Sequence, residues 1–96
     1  ICNSDMVALG GCYALQERGI IPGREISIIG FDDVADASFA TPSLTTIQSQ
    51  PYQLGQILAK TVMERIENPE IPIYTMLTDA TLVKRLTAGP VVKKSC

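Results

Sequence analysis

The chain has no histidine and no tryptophan. Without imidazole, neither a Ser-His-Asp triad nor a histidine general base can be assembled. Its three cysteines, Cys2, Cys12 and Cys96, form no C-x-x-C pair, so a zinc site has no ligand set. Their odd number, and the apolar neighbours of Cys2 and Cys12, fit small hydrophobes in a reducing cytoplasm rather than a secreted disulfide framework. No apolar run approaches the roughly 20 residues of a membrane-spanning helix. Gly10 and Gly11 fall inside a helical pattern, and no glycine-rich phosphate loop occurs. The net charge of −2 excludes a whole-chain electrostatic footprint for nucleic acid. Lys84, Arg85, Lys93 and Lys94 read as solvated charges.

What is present is a globular balance, 46 % apolar and 19 % charged over 96 residues, enough for one small domain. Such a chain buries only about 60–65 % of its unfolded surface, so its stability margin is small. Asn3, Ser4 and Asp5 are helix-capping types, and "MVALGGCYALQER" then puts Met6, Leu9 and Tyr13 with Ala8, Cys12 and Leu15 on one broad face. Gly19 is expected to stop that helix. The β-branched run "EISIIGF" predicts a strand covered on both faces. "DDVADASFATPS" predicts a polar loop with one helical turn, and Leu44 to Ile47 a short strand. Pro51 opens a second helix whose face is Leu54, Leu58, Thr61, Val62 and Arg65 or Ile66, ended by "ENPEIP". The apolar residues of both helices are expected in the core. Thr75 to Leu86 predicts a last strand, with a break at Asp79, and the final ten residues an exposed tail. The order strand–helix–strand–strand–helix–strand implies an α/β fold with a mainly parallel sheet and flanking helices. Two helices barely cover such apolar strands, so sequence upstream is expected to complete the sheet.

The strand "ISIIGFDD" ends on two adjacent carboxylates, Asp32 and Asp33. In open α/β sheets, ligands sit beyond the carboxyl ends of the strands. Three strand ends here carry polar clusters: Asn3, Ser4 and Asp5; Asp32 and Asp33; and Gln48, Ser49 and Gln50. Carboxylates among amides and hydroxyls suit a polyhydroxyl ligand, because an ionised acceptor makes a strong hydrogen bond to a hydroxyl. Two alternatives stand beside a sugar site. Either aspartate can cap the loop that follows, or the pair can hold magnesium, which needs further convergent oxygens.

Taken together, "CNSDMVALGGCYALQERGIIPGREISIIGFDD", "ATPSLTTI" and "LVKRLTAGP" resemble the C-terminal portion of bacterial transcriptional regulators of the LacI/GalR family, over nearly the whole chain. Periplasmic sugar-binding proteins share the fold and the "GFD" strand end; the other two stretches look more like the regulators. The resemblance implies a partial periplasmic-binding-protein-like (type I) fold. Residues 1–48 would belong to a C-terminal effector subdomain, 49–74 to a segment crossing to the N-terminal subdomain, and 75–96 to a returning strand and tail. By position it implies effector contacts at Asp32, Ser4, Ser49 and Gln50, with Ser4 where an asparagine is usual and Ser49 where a glutamine is common. It implies a dimer surface at Leu9 and Phe39 within the Ala37–Ala40 region.

The function so implied is effector sensing, most simply of a sugar, and dimerisation in a cytoplasmic DNA-binding regulator. Operator DNA would be bound by a separate N-terminal module. No enzyme activity, cofactor, metal or membrane partner is expected. A periplasmic sugar-binding protein of a transport system is the alternative, and a magnesium enzyme comes third.

Overall fold

The structure, a computed structural model, describes residues 1–91; Lys93, Lys94 and Cys96 lie outside the described residues. Elements follow in the order α1 (Asp5–Glu17), α2 (Ala35–Phe39), β1 (Thr46–Gln48), α3 (Pro51–Glu67) and β2 (Thr81–Val83). They fall into two compact units: Ile1–Gln48 with the chain from Thr81 onward, and Ser49–Ala80. The first unit takes up the chain again at Thr81.

In the first unit α1 starts where Ser4 turns its hydroxyl to accept the Val7 amide at 3.2 Å. It ends in a Schellman motif, with Gly19 at φ 74°, its amide bonded to the Gln16 carbonyl and that of Ile20 to the Leu15 carbonyl. Between these caps Ala8, Leu9 and Cys12 are buried with Ala37 of α2 and Leu44, and Cys2, Ile28 and Ala40 pack against them. Met6 and Tyr13, expected on the same face, are exposed instead.

Residues 28–32 form the central extended segment. The amides of Ile28, Gly30 and Asp32 donate to the carbonyls of Thr87, Thr45 and Ile47, while the carbonyls of Ile29 and Phe31 accept from Cys2 and Asp5. The Ile29–Thr45 bridge is parallel, and β1 pairs antiparallel with β2 in the register Thr46↔Val83, Ile47↔Leu82, Gln48↔Thr81. The parallel pairing read from the sequence is therefore present as single bridges and hydrogen bonds, while the one regular ladder among the described residues is antiparallel. The last strand is three residues long, not twelve, because β1 ends at Gln48 and leaves residues before Thr81 without a partner.

The central segment is covered at its middle and exposed towards its ends. Ile28 and Gly30 lie against α1 and the Leu44 side chain and Ile29 is half-buried, whereas Ile26 and Phe31 at the two ends remain exposed, so the expected two-sided cover is met only in part. The expected tail is also partly structural. Thr87 is fully buried, its hydroxyl donating to the Ile28 carbonyl at 2.7 Å and accepting the Thr45 amide at 2.9 Å.

In the second unit Pro51 occupies the first turn of α3, and the helix stops at Glu67 with Asn68 held off helical geometry before Pro69. No residue of α3 is buried. Leu58, Val62 and Ile66, expected in a core, are more than half exposed, because the unit's single helix and extended segment enclose no interior.

Candidate functional site

The polar strand ends of the first unit meet around three aspartates with different surroundings. Asp5, at the start of α1, is 1 % exposed. Its backbone amide donates to the Phe31 carbonyl at 3.0 Å. Its carboxylate accepts the Val34 amide at 2.8 Å and the Thr46 hydroxyl at 2.5 Å. Gly30 makes this possible: a Cβ there would lie 2.3 Å from the Asp5 Oδ1. The glycine before "FDD" is thus the room that lets α1 bring a charge down onto the central segment.

Asp33 is also engaged. Its Oδ1 lies 2.9 Å from Arg85 Nη1, and its Oδ2 accepts from Gln48 Nε2 at 3.2 Å. The same Arg85 nitrogen donates to the Leu44 carbonyl at 3.0 Å, and the Arg85 amide to the Thr45 hydroxyl at 2.9 Å. Arg85, read from sequence as a solvated charge, is therefore a fixed internal partner. Its signal was available only as one basic residue near the end of the expected last strand, which is also what a surface cation looks like.

Asp32 differs from both. It is exposed, and among the described residues its carboxylate has no hydrogen-bond partner, while its amide donates to the Ile47 carbonyl at 2.9 Å. Asp32 and Asp33 adopt φ of 119° and 58°. Backbone of this kind in a non-glycine residue costs on the order of 1–3 kcal/mol and persists where surroundings over-determine it. Two carboxylates are spent on holding the strand end, and one is presented to solvent. Asp5 and Asp33 being committed to protein donors, the acids do not converge as a hard-cation set, and among the described residues no group of three or more acidic or thiol side chains is placed to hold a metal.

Ser4, the other candidate of the first unit, uses its hydroxyl as the α1 cap. Ser49 and Gln50 belong to the second unit, where they line a cavity of about 320 Å³ with Gln53, Thr78 and Asp79 among others. Gln50 caps α3 at φ 53°. Gln53 and Thr78 were not singled out from sequence, and Asp79 was read only as a strand break, since nothing local marks a helix residue and a loop residue as neighbours. On the first unit, Met6, Leu9, Tyr13, Asp36 and Phe39 line a groove of about 430 Å³. Leu9 is only 8 % exposed and belongs to the core, whereas Phe39 is 83 % exposed. The accessible part of that face is therefore Met6, Tyr13 and Phe39.

Residues 1–88 match the family described as periplasmic binding protein-like domain. The chain belongs to that family. Among its relatives, the ribose operon repressor of Haemophilus influenzae is 34 % identical over 84 residues, covering 88 % of this chain and 25 % of the repressor. Among solved structures, a lac repressor dimer bound to operator and the anti-inducer ONPF aligns with a TM-score of 0.79 at 33 % identity, over 92 % of this chain and 30 % of that one. A LacI family transcriptional regulator from Enterococcus faecalis V583, with bound ribose, gives 0.77 at 32 % identity, over 93 % and 33 %. This periplasmic-binding-protein-like domain chain spans about a quarter of the length of the curated relatives it matches. The relatives are repressors, and among the described residues no helix is long and apolar enough to cross a membrane.

Proposed function

We propose that this chain is the C-terminal part of the effector-sensing and dimerisation domain of a LacI-type DNA-binding transcriptional regulator. The observation that carries the reading is the division of labour at the strand end. Asp5 and Asp33 hold the backbone, and Asp32 is left with a carboxylate that is unpartnered among the described residues and suited to accept from a ligand hydroxyl. Ser4, Ser49 and Gln50 are its proposed companions in the effector site. The effector is a sugar, and the ribose bound in a structural relative makes a pentose the first candidate. The protein is cytoplasmic, is not an enzyme, and forms a homodimer through the face that includes Phe39.

Sensing follows from differential affinity. An effector that binds one arrangement of the two effector subdomains more tightly shifts the population towards it, and the dimer then presents its DNA-binding modules differently. Residues 1–48 and the returning segment would form one subdomain's share, and the segment that follows Gln48 the crossing to the other. The identified relatives are repressors, which favours regulation over the transport alternative.

The experiment is a gel-shift titration of the full-length protein on DNA from its own promoter region, with and without pentoses and hexoses. A sugar that changes operator affinity by about tenfold, the usual order of a coupling free energy, is the expected result. A protein that binds sugar and shows no affinity for any upstream DNA would be a transport-type binding protein instead.

A further inference from the structure

We infer that Arg85 is a positioning residue for Asp32, acting through Asp33; the inference rests on the effector reading of Asp32 above. The two aspartates carry consecutive positive φ values, 119° and 58°. Main-chain pairing alone does not account for their placement. The Asp32 amide makes one short bond, 2.9 Å to the Ile47 carbonyl, while the Asp33 amide reaches only the Thr46 hydroxyl at a long 3.4 Å. The remaining hold on the pair comes through the Asp33 side chain, from Arg85 at 2.9 Å and Gln48 at 3.2 Å.

Arg85 is itself fixed from three directions. Val83 of β2 is in register with Thr46, the Arg85 amide donates to the Thr45 hydroxyl, and Nη1 donates to the Leu44 carbonyl. The ion pair is mostly withdrawn from water, the side chains of Arg85 and Asp33 being 20 % and 15 % exposed. Such a pair is screened less than a surface one and holds geometry better. Arg85 also offsets the Asp33 charge beside the exposed Asp32 carboxylate, which removes a reason for the two acids to turn away from each other. The segment after β2 thereby sets where the free carboxylate stands. Both side-chain contacts of Arg85 leave from one nitrogen, so an ammonium with its three donors can take them over in part.

The test is amide exchange on the ligand-free full-length protein, followed by titration with D-ribose. In Arg85→Ala the Asp32 amide should exchange about tenfold faster, the effect of losing a charged hydrogen bond nearby. The amides of Cys2 and Leu44, bonded to Ile29 and Ala37, should keep their protection. Arg85→Lys should restore most of the Asp32 protection, and Arg85→Gln, which keeps only the first two methylenes and loses the charge, should not. If Arg85→Ala fails to fold, the Gln and Lys variants make the same comparison. An Asp32 amide that stays protected, or a uniform rise across all three amides, would overturn the inference. In titration, Arg85→Ala should weaken ribose in the wild-type background and add nothing in Asp32→Ala; additive losses would also overturn it. Ribose binding that ignores Asp32→Ala, or no sugar binding by the wild type, would count against the effector reading alone, because the exchange result decides Arg85.

Discussion

The Asp5 carboxylate and the Thr46 hydroxyl, 41 positions apart, meet at 2.5 Å in the interior of the first unit. Both residues are essentially inaccessible to solvent. A buried charge is tolerated only when its oxygens are satisfied, and here Thr46 and the Val34 amide satisfy them. Asp5→Ala leaves both donors unpaired and should lower stability by about 2–3 kcal/mol. Asp5→Asn, which keeps one acceptor and one donor, should cost less. Urea unfolding of the full-length variants, followed at a probe in this domain, checks the order.

Gly30 is there to admit Asp5. An added Cβ would meet Asp5 Oδ1 at 2.3 Å and Leu44 Cδ2 at 3.1 Å. Gly30→Ala should therefore destabilise by about 1–3 kcal/mol, the cost of overpacking. Part of that cost should disappear in the Asp5→Ala background, where the clashing carboxylate is gone, so the double variant should be less unstable than the sum of the singles. Thermal melts of the four proteins measure the coupling.

Helix α1 was legible because its signals are local: Ser4 at the start, Gly19 at the stop, and small apolar residues between. The acid pair was legible as a strand end for the same reason, but the residues themselves left open which aspartate is engaged; only the resemblance singled out Asp32. The partners of the pair were not. Thr46 and Arg85 come from segments 13 and more than 50 positions away, and a threonine or arginine carries no local sign of the carboxylate it will meet. The face of α3 was misread because periodicity shows which residues seek cover, while the second unit contains nothing to supply it. Leu9 illustrates the converse: the resemblance points to an interface, whereas its place between Ala8 and Cys12 on the inner side of α1 makes it core.

That placement decides how dimerisation is tested. Leu9→Glu would bury an unpaired charge and unfold the domain. Phe39→Glu alters an exposed side chain beside Met6 and Tyr13 and should spare the fold. If this face joins two copies, Phe39→Glu should weaken the dimer by about 2 kcal/mol or more, the scale of an aromatic hot spot. Sedimentation velocity across a dilution series would show the change; an unaltered dimer removes this face from the interface.

Burial pushes the Cys12 thiol above its ordinary value, with Cys2 nearby adding to the shift. The folded state thus keeps the Cys12 proton longer than the unfolded chain does. Its contribution to stability is whole below the unfolded thiol pKa of about 8.5 and is lost as pH rises through the higher folded value. Two measurements follow: stability should decline above that pH less in Cys12→Ala than in the parent, and Cys12 should resist a thiol reagent until the domain unfolds.

The central claim is that Asp32 is the side chain this strand end presents to an effector. Isothermal titration of D-ribose into the full-length protein and its Asp32→Ala and Asp33→Ala variants tests it most directly. The account predicts that Asp32→Ala, still folded, loses about 1.5–3 kcal/mol of binding, the range for a hydrogen bond to a charged group. Asp33→Ala should lose more in stability than Asp32→Ala does. Unchanged ribose affinity in a folded Asp32→Ala protein would contradict the claim.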